Sequence, residues 1–163
     1  MDDADDQSHT ERERFVEEVG ILMEQEGMPR MAARILGWLL ICDPPLQSAN
    51  ELASALHASR GSISTMTQFL IRFGVLERVG VPGERQDFFR IRPGAGTYVL
   101  ERQLRQMRTL LHLFQRGLPL VSDQPPVNQE RLRELHALYA FFEHHSRALL
   151  ERWHAERTGP KPS

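Results

Sequence analysis

The segment covering residues 48–92 constrains the fold of this chain more than any other. Ser48 and Ser59 are typical helix N-caps, and Gly74 stands where a left-handed residue ends a helix. These signals predict helices over residues 49–56 and 59–73, joined by a tight turn. Residues 75–79 and 87–92 then alternate as strands around a turn at 81–86 that contains proline and glycine. The predicted order is helix, turn, helix and hairpin.

Helices are predicted on both sides of this segment. Apolar residues recur along one face over residues 10–26, 96–117 and 128–157, and a helix over residues 29–41 is apolar on most sides and should be buried. Residues 118–127 contain three prolines and are expected to form a linker. We expect flexible tails at 1–9, which are acidic, and at 158–163. The fold class is therefore mainly α with a small β-hairpin.

Charge and composition narrow the function classes. The formal net charge is −2, but residues 57–92 carry six arginines against three acidic residues, whereas residues 1–27 are strongly acidic. A local basic surface decides whether a protein attracts phosphate. The chain has no apolar run long enough to cross a membrane and no signal-peptide pattern at its start, so we expect a cytoplasmic location without membrane contact.

The helix predicted over residues 59–73 has two distinct faces. Ile63, Met66, Leu70 and Phe73 form the expected core face. The opposite face carries no acid and no large apolar group, and its residues are Gly61, Ser64, Thr65, Gln68 and Arg72. Such a face suits the major groove of DNA, where glutamine pairs with adenine and arginine with guanine or phosphate. An ordinary solvent-exposed face is the alternative, but those usually carry Glu, Lys or Asp.

The hairpin supplies a second candidate contact. Arg85 lies in the turn beside Gly83, and Arg78, Arg90 and Arg92 flank it on the strands. An extended arginine at a hairpin tip can enter a minor groove or bind a phosphate. A hairpin of this composition is weak evidence alone, but directly after two closely spaced helices it favours a nucleic-acid contact.

Seven segments carry a resemblance to a known family. They are residues 26–30, 34–40, 42–45, 47–53, 59–65, 82–85 and 90–93. With these segments the chain resembles the MarR family of winged helix-turn-helix transcriptional regulators, and more closely its GbsR/MarR-like actinobacterial branch. It is also similar to mycobacterial repressors of lipid and drug exporters. The resemblance covers about residues 12–156.

This resemblance implies a homodimer that binds double-stranded DNA at a palindromic operator. The winged helix-turn-helix domain would cover residues 27–93, and residues 10–26 and 94–157 would form a helical dimerisation region. The groove helix maps onto residues 59–73 and the wing arginine onto Arg85. The expected DNA-binding residues are Ser59, Arg60, Gly61, Ser62, Ser64, Thr65, Gln68, Arg72 and Arg85. The apolar stripes of the outer helices independently favour a dimer, because the rest of the chain is too small to cover them.

The resemblance also implies a small apolar or lipid-like effector. Large apolar residues in several predicted helices are candidates for its pocket, and they are Met31, Trp38, Phe88, Tyr98, Met107, Phe114 and Phe142. Simple core packing of these side chains is the alternative. No motif identifies the effector, the operator or the regulated genes.

The histidines and the single cysteine do not form a recognisable metal or catalytic motif. His136, His144 and His145 lack the spacing of a metal site, and Cys42 is a lone cysteine. No phosphate-binding loop or catalytic arrangement is present, so we expect no cofactor and no enzymatic activity. The favoured function is a DNA-binding repressor released by an effector. The alternatives are a winged helix that docks onto proteins, and a metal- or thiol-responsive sensor.

Overall fold

The computed structural model describes the backbone of residues 2–158 and the side chains of residues 7 and 9–157. This part of the chain contains six α-helices, three short strands and one 3₁₀ helix. They are α1 (Asp2–Gln25), α2 (Arg30–Ile41), β1 (Gln47–Ser48), α3 (Ala49–Ala55), α4 (Arg60–Phe73), β2 (Leu76–Val79), β3 (Phe88–Ile91), α5 (Ala95–Gly117), a 3₁₀ helix (Leu118–Val121) and α6 (Pro126–Thr158). The chain forms two compact units, Met1–Val99 and Leu100–Ser163. None of the described helices is long and apolar enough to cross a membrane.

Helix α2 lies at the centre of the first unit. Its small residues allow close packing, since a Cβ on Gly37 would stand only 3.2 Å from the Cβ of Val19 in α1. The buried core combines side chains from α2, α3, α4 and β3, among them Ile35, Leu39, Leu52, Leu56, Ile63, Leu70 and Phe89. Burial of these apolar groups is the main force that holds the elements of this unit together.

Local capping signals place the ends of α3 and α4 as the sequence predicted. The Ser48 hydroxyl accepts a hydrogen bond from the Glu51 N–H, and the Glu51 carboxylate accepts one from the Ser48 N–H. The bond from the Ser48 N–H and, after it, the contact with the Ser48 side chain lower the pKa of the Glu51 carboxylate. The Ser59 hydroxyl accepts from the Ser62 N–H at 3.2 Å, and Gly74 ends α4 with a φ of 90°.

The sheet has one strand more than predicted. Strand β1 pairs antiparallel with β3, so that the strand order is β1-β3-β2. Gln47 faces Phe89 in this pairing, and Leu76 faces Ile91 in the predicted hairpin. A two-residue strand has no periodicity of its own, and for this reason the sequence pattern did not reveal β1.

The chain ends differ from the expected tails. Helix α1 begins at Asp2, so residues 2–9 are helical rather than a flexible start, and Thr10 lies within the helix. The helix stops where predicted, because Gly27 follows it with a φ of 87°. Helix α6 extends to Thr158, and residues 159–163 of the predicted C-terminal tail lie outside the described residues.

The second unit pairs α5 with α6. Gly117 allows close approach, since a Cβ there would stand 3.0 Å from Leu132. Phe114 packs edge-on against Tyr139 with ring centroids 5.2 Å apart. The predicted linker is partly helical, and the Gln129 side chain donates to the carbonyl groups of Ser122 and Gln124 to hold the connection in place.

Candidate nucleic-acid interface

The buried side of α4 holds the helix against the core of the first unit. Ile63 and Leu70 are fully buried, whereas Met66 and Phe73 are half-buried. Thr67, which does not belong to the predicted core face, is also buried. Its hydroxyl donates to the Ile63 carbonyl at 2.8 Å, which satisfies the polar atom inside the core. Its spacing from Ile63 and Leu70 was the available signal.

The opposite side of α4 faces solvent. Gly61, Ser64, Thr65, Gln68 and Arg72 are all exposed. Ser59 and Arg60 at the start of the helix are exposed as well, and Ser62 is half-buried. The structure therefore places most of the proposed groove residues on one accessible, acid-free surface of a well-capped helix.

The hairpin turn presents Arg85. Gly83 adopts a φ of 87° there, and the Glu84 N–H donates to the Val81 carbonyl at 3.0 Å. Arg85 is exposed and forms no ion pair with any residue that the structure describes. Its guanidinium is therefore available to an external anion.

The strand arginines of the hairpin differ from Arg85. Arg78 pairs with Asp87 at 3.3 Å, and Arg90 pairs with Glu77 at 2.6 Å. Arg92 lies over the ring of Tyr98, with 5.1 Å between the guanidinium carbon and the ring centroid. The guanidinium groups of these three arginines are thus already in contact with an acid or an aromatic ring. Arg85 is therefore the cation of the hairpin that is best placed to bind phosphate.

A hydrogen bond connects the hairpin turn to α3. The Asn50 side-chain amide donates to Gln86 Oε1 at 3.3 Å, directly beside Arg85. Neither residue belongs to the predicted DNA-binding set. No local pattern could have done so, because the two residues are 36 positions apart.

The seven predicted pocket residues divide between the two units. Trp38 donates through Nε1 to Gln47 Oε1 at 3.3 Å, and the Tyr98 ring packs on Gly74. Phe88 lies in β3, and Met31 packs against the core on α2. In the second unit, Phe114 contacts Tyr139, Phe142 contacts Phe141, and Met107 is half-buried on α5. Their role as a ligand pocket stays a prediction.

An apolar cavity of about 280 Å³ lies elsewhere in the first unit. The end of α1, α2, α4 and the first turns of α5 contribute to its wall. Its lining residues are Met23, Glu26, Gly27, Met28, Leu36, Phe69, Phe73, Val75 and Val99. None of them belongs to the predicted set, because the cavity depends on contacts between helices that are distant in sequence.

The described histidines and Cys42 do not favour the alternative of a metal- or thiol-responsive sensor. Among the described residues, no group of three or more His, Cys, Asp or Glu side chains is arranged to hold a metal ion. Cys42 is half-buried, and burial raises the pKa of its thiol. A raised pKa reduces the thiolate fraction and with it the reactivity of the cysteine.

Comparison with known proteins decides the family. A family model described as "MmpR5-like MarR family transcriptional regulator" matches residues 94–156. The HTH-type transcriptional regulator MmpR5 of Mycobacterium tuberculosis (strain ATCC 25618 / H37Rv) is 44% identical over 145 residues, which are 89% of this chain and 87% of that protein. This chain belongs to the MmpR5-like MarR family. The crystal structure of a transcriptional regulator with 42% identity superposes with a TM-score of 0.73 over 89% of this chain and 99% of its own.

Membership of the MarR family settles the functional class. The chain is a DNA-binding transcriptional regulator with a winged helix-turn-helix, and not an enzyme, in agreement with the expectation from sequence. In this fold α3 and α4 are the paired helices and the β2–β3 hairpin is the wing.

Proposed function

We propose that this MarR-family protein is a homodimeric repressor that binds a palindromic operator and is released by a small apolar effector. The acid-free, exposed face of α4 carries the proposal. Gln68 and Arg72 supply groups there that can form hydrogen bonds with the edges of bases. The small residues Gly61 and Ser64 allow the helix to approach the groove closely. A protein-docking surface would be expected to present a large apolar or acidic patch instead.

The second unit supports the dimer. Among the described residues beyond Val99, Leu111 and Gln129 alone are buried, so this unit has almost no core of its own. Large apolar side chains stand exposed along α6, including Leu135, Leu138, Phe142, Leu149 and Trp153. Surfaces of this kind mark protein interfaces. A second copy of the chain is the partner that a palindromic operator requires.

The apolar cavity supports an effector. Phe69 and Phe73 of α4 line it together with Leu36 of α2. A ligand in this space would contact the groove helix directly. It can shift the DNA-binding equilibrium only if it binds one arrangement of that helix more tightly than another. The mostly apolar lining favours an apolar molecule.

An experiment on selected DNA tests the interface. A duplex is selected from a randomised library by the wild-type protein, and affinities are then measured for Gln68→Ala, Arg72→Ala and Arg85→Ala. We expect each variant to bind more weakly. Gln25→Ala, which removes an exposed amide at the end of α1, serves as the control and should bind normally. If all three interface variants match the wild type, the DNA-binding surface lies elsewhere.

A further inference from the structure

Thr65 lies on the exposed face of α4 with its hydroxyl turned back to its own helix. Thr65 Oγ1 donates to the Gly61 carbonyl at 3.0 Å. A threonine hydroxyl has a single hydrogen, so this bond occupies its only donor. The methyl group is the other substituent on the Cβ atom. Thr65 therefore offers its methyl group to a partner more readily than a hydrogen-bond donor.

The neighbouring positions leave this methyl group accessible. Gly61 has no side chain, and a Cβ there would meet nothing within 4 Å. Ser64 is exposed and short, and its hydroxyl forms no hydrogen bond in the part of the chain that the structure describes. The first turns of α4 thus present one free hydroxyl at Ser64 and one methyl group at Thr65.

We propose that Thr65 is a specificity-determining residue that recognises the 5-methyl group of a thymine in the major groove. The inference rests on the proposed function, in which the exposed face of α4 enters that groove. The 5-methyl group is the apolar feature that thymine displays there, and threonine methyl groups are among its natural contacts. The role of Thr65 is then apolar, whereas Ser64 and Gln68 supply polar contacts.

The size of the effect follows from the burial of one methyl-sized group. Such burial contributes about 0.8 kcal/mol, which corresponds to about a fourfold change in affinity per half-site. A symmetric dimer would show about a fifteenfold change when both half-sites are altered.

Two substitutions at this position separate the methyl group from the hydroxyl. Thr65→Val keeps a methyl group in place and removes the oxygen, whereas Thr65→Ser keeps the oxygen and removes the methyl. We expect Thr65→Val to bind the selected duplex like the wild type. Thr65→Ser should lose about fourfold per half-site. Replacing each thymine of the duplex in turn by deoxyuridine, which lacks the 5-methyl group, should weaken wild-type binding at one symmetric position and should not weaken Thr65→Ser further.

Thr109 provides a matched control. It is an exposed threonine on α5 whose hydroxyl donates to the Arg105 carbonyl at 3.0 Å, the same bond at the same distance. Thr109→Val and Thr109→Ser should change the thermal stability as the same substitutions at Thr65 do. Neither Thr109 variant should change the affinity for the selected duplex. Differences in folding are thereby separated from differences in base recognition.

The outcomes that overturn the inference are distinct from those that overturn the DNA-binding surface. If Thr65→Ser binds like the wild type while Thr65→Val does not, the hydroxyl is the recognising group and the inference fails. It fails equally if no thymine is sensitive to deoxyuridine while Gln68→Ala still weakens binding. If Thr65→Ala, Gln68→Ala and Arg72→Ala all bind normally, the proposed DNA-binding surface itself fails.

Discussion

The ring of Tyr98 occupies the space in which any side chain at position 74 would stand. A Cβ on Gly74 would lie 2.1 Å from Tyr98 Cε1, and Gly74 also adopts a φ of 90°. The end of α4 and the first turn of α5 are therefore joined at a position that only glycine can occupy. Phe73 and Val75, which flank this glycine, both line the apolar cavity.

Gly74→Ala should destabilise the protein by about 2 kcal/mol or more, since a left-handed alanine is strained and its methyl group collides with the ring. Urea denaturation measures the loss. Tyr98→Ala removes the ring and should relieve the collision but not the backbone strain. The double variant should therefore lose less stability than the sum of the two single variants. If the stability losses of the two single variants simply add up in the double variant, the Tyr98 ring does not contribute to the destabilisation by Gly74→Ala.

His57 is expected to reduce stability through its backbone. It is exposed in the turn between α3 and α4 and adopts a φ of 49°, which glycine accepts more readily than other residues. We expect His57→Gly to raise the free energy of unfolding by about 0.5–1 kcal/mol. His57→Ala retains a Cβ atom and should bring no such gain, so a stabilised alanine variant would contradict the explanation.

Gln68 and Arg85 should differ in how they affect DNA binding. Gln68→Ala should cost roughly 1–3 kcal/mol at one base position in each half-site and change the sequence preference. Arg85→Ala should weaken all sequences and reduce the salt slope by about one charge per contact. Binding to a randomised library at two salt concentrations distinguishes the two effects. A narrow minor groove read by Arg85 would add a preference for A·T pairs to its effect.

Leu138 is suited to a test of the dimer because it is exposed on α6 in the isolated chain. If this helix lies at a subunit interface, Leu138→Glu should place a charge in an apolar contact and shift the protein towards monomers. Glu134→Gln, at an exposed position one turn earlier, is the control. Sedimentation velocity at micromolar concentration measures the oligomeric state. A wild-type protein that is already a folded monomer would refute the dimer.

The Glu51 capping box predicts a pH dependence. The Ser48 contacts lower the pKa of Glu51 in the folded state, so the ionised carboxylate stabilises the fold. This contribution is fully present above the ordinary glutamate pKa and is lost as the pH falls through the lowered folded value. Glu51→Gln should therefore reduce stability at neutral pH, and its difference from the wild type should shrink in acid. A constant difference in thermal unfolding across that range would contradict this role.

Features that depend on neighbouring residues can be predicted from the amino-acid sequence. Ser48, Ser59 and Gly74 mark helix ends because a cap bonds to backbone groups only a few positions away. The two faces of α4 follow from helical periodicity, and the family resemblance follows from short local segments. The start of α1 at Asp2 differs from the predicted flexible tail, because polar composition alone does not reveal where a helix begins.

Contacts between residues that are distant along the chain became evident from the packed fold. It paired β1 with β3, buried Thr67, joined Asn50 to Gln86 and formed a cavity that none of the predicted pocket residues lines. It also showed that Arg78 and Arg90 are paired with acids while Arg85 forms no ion pair with a described residue. These outcomes depend on which surfaces meet when apolar groups leave water, and that burial is not directional. Sequence periodicity shows which face of a helix is buried, whereas packing decides which residues that face contacts.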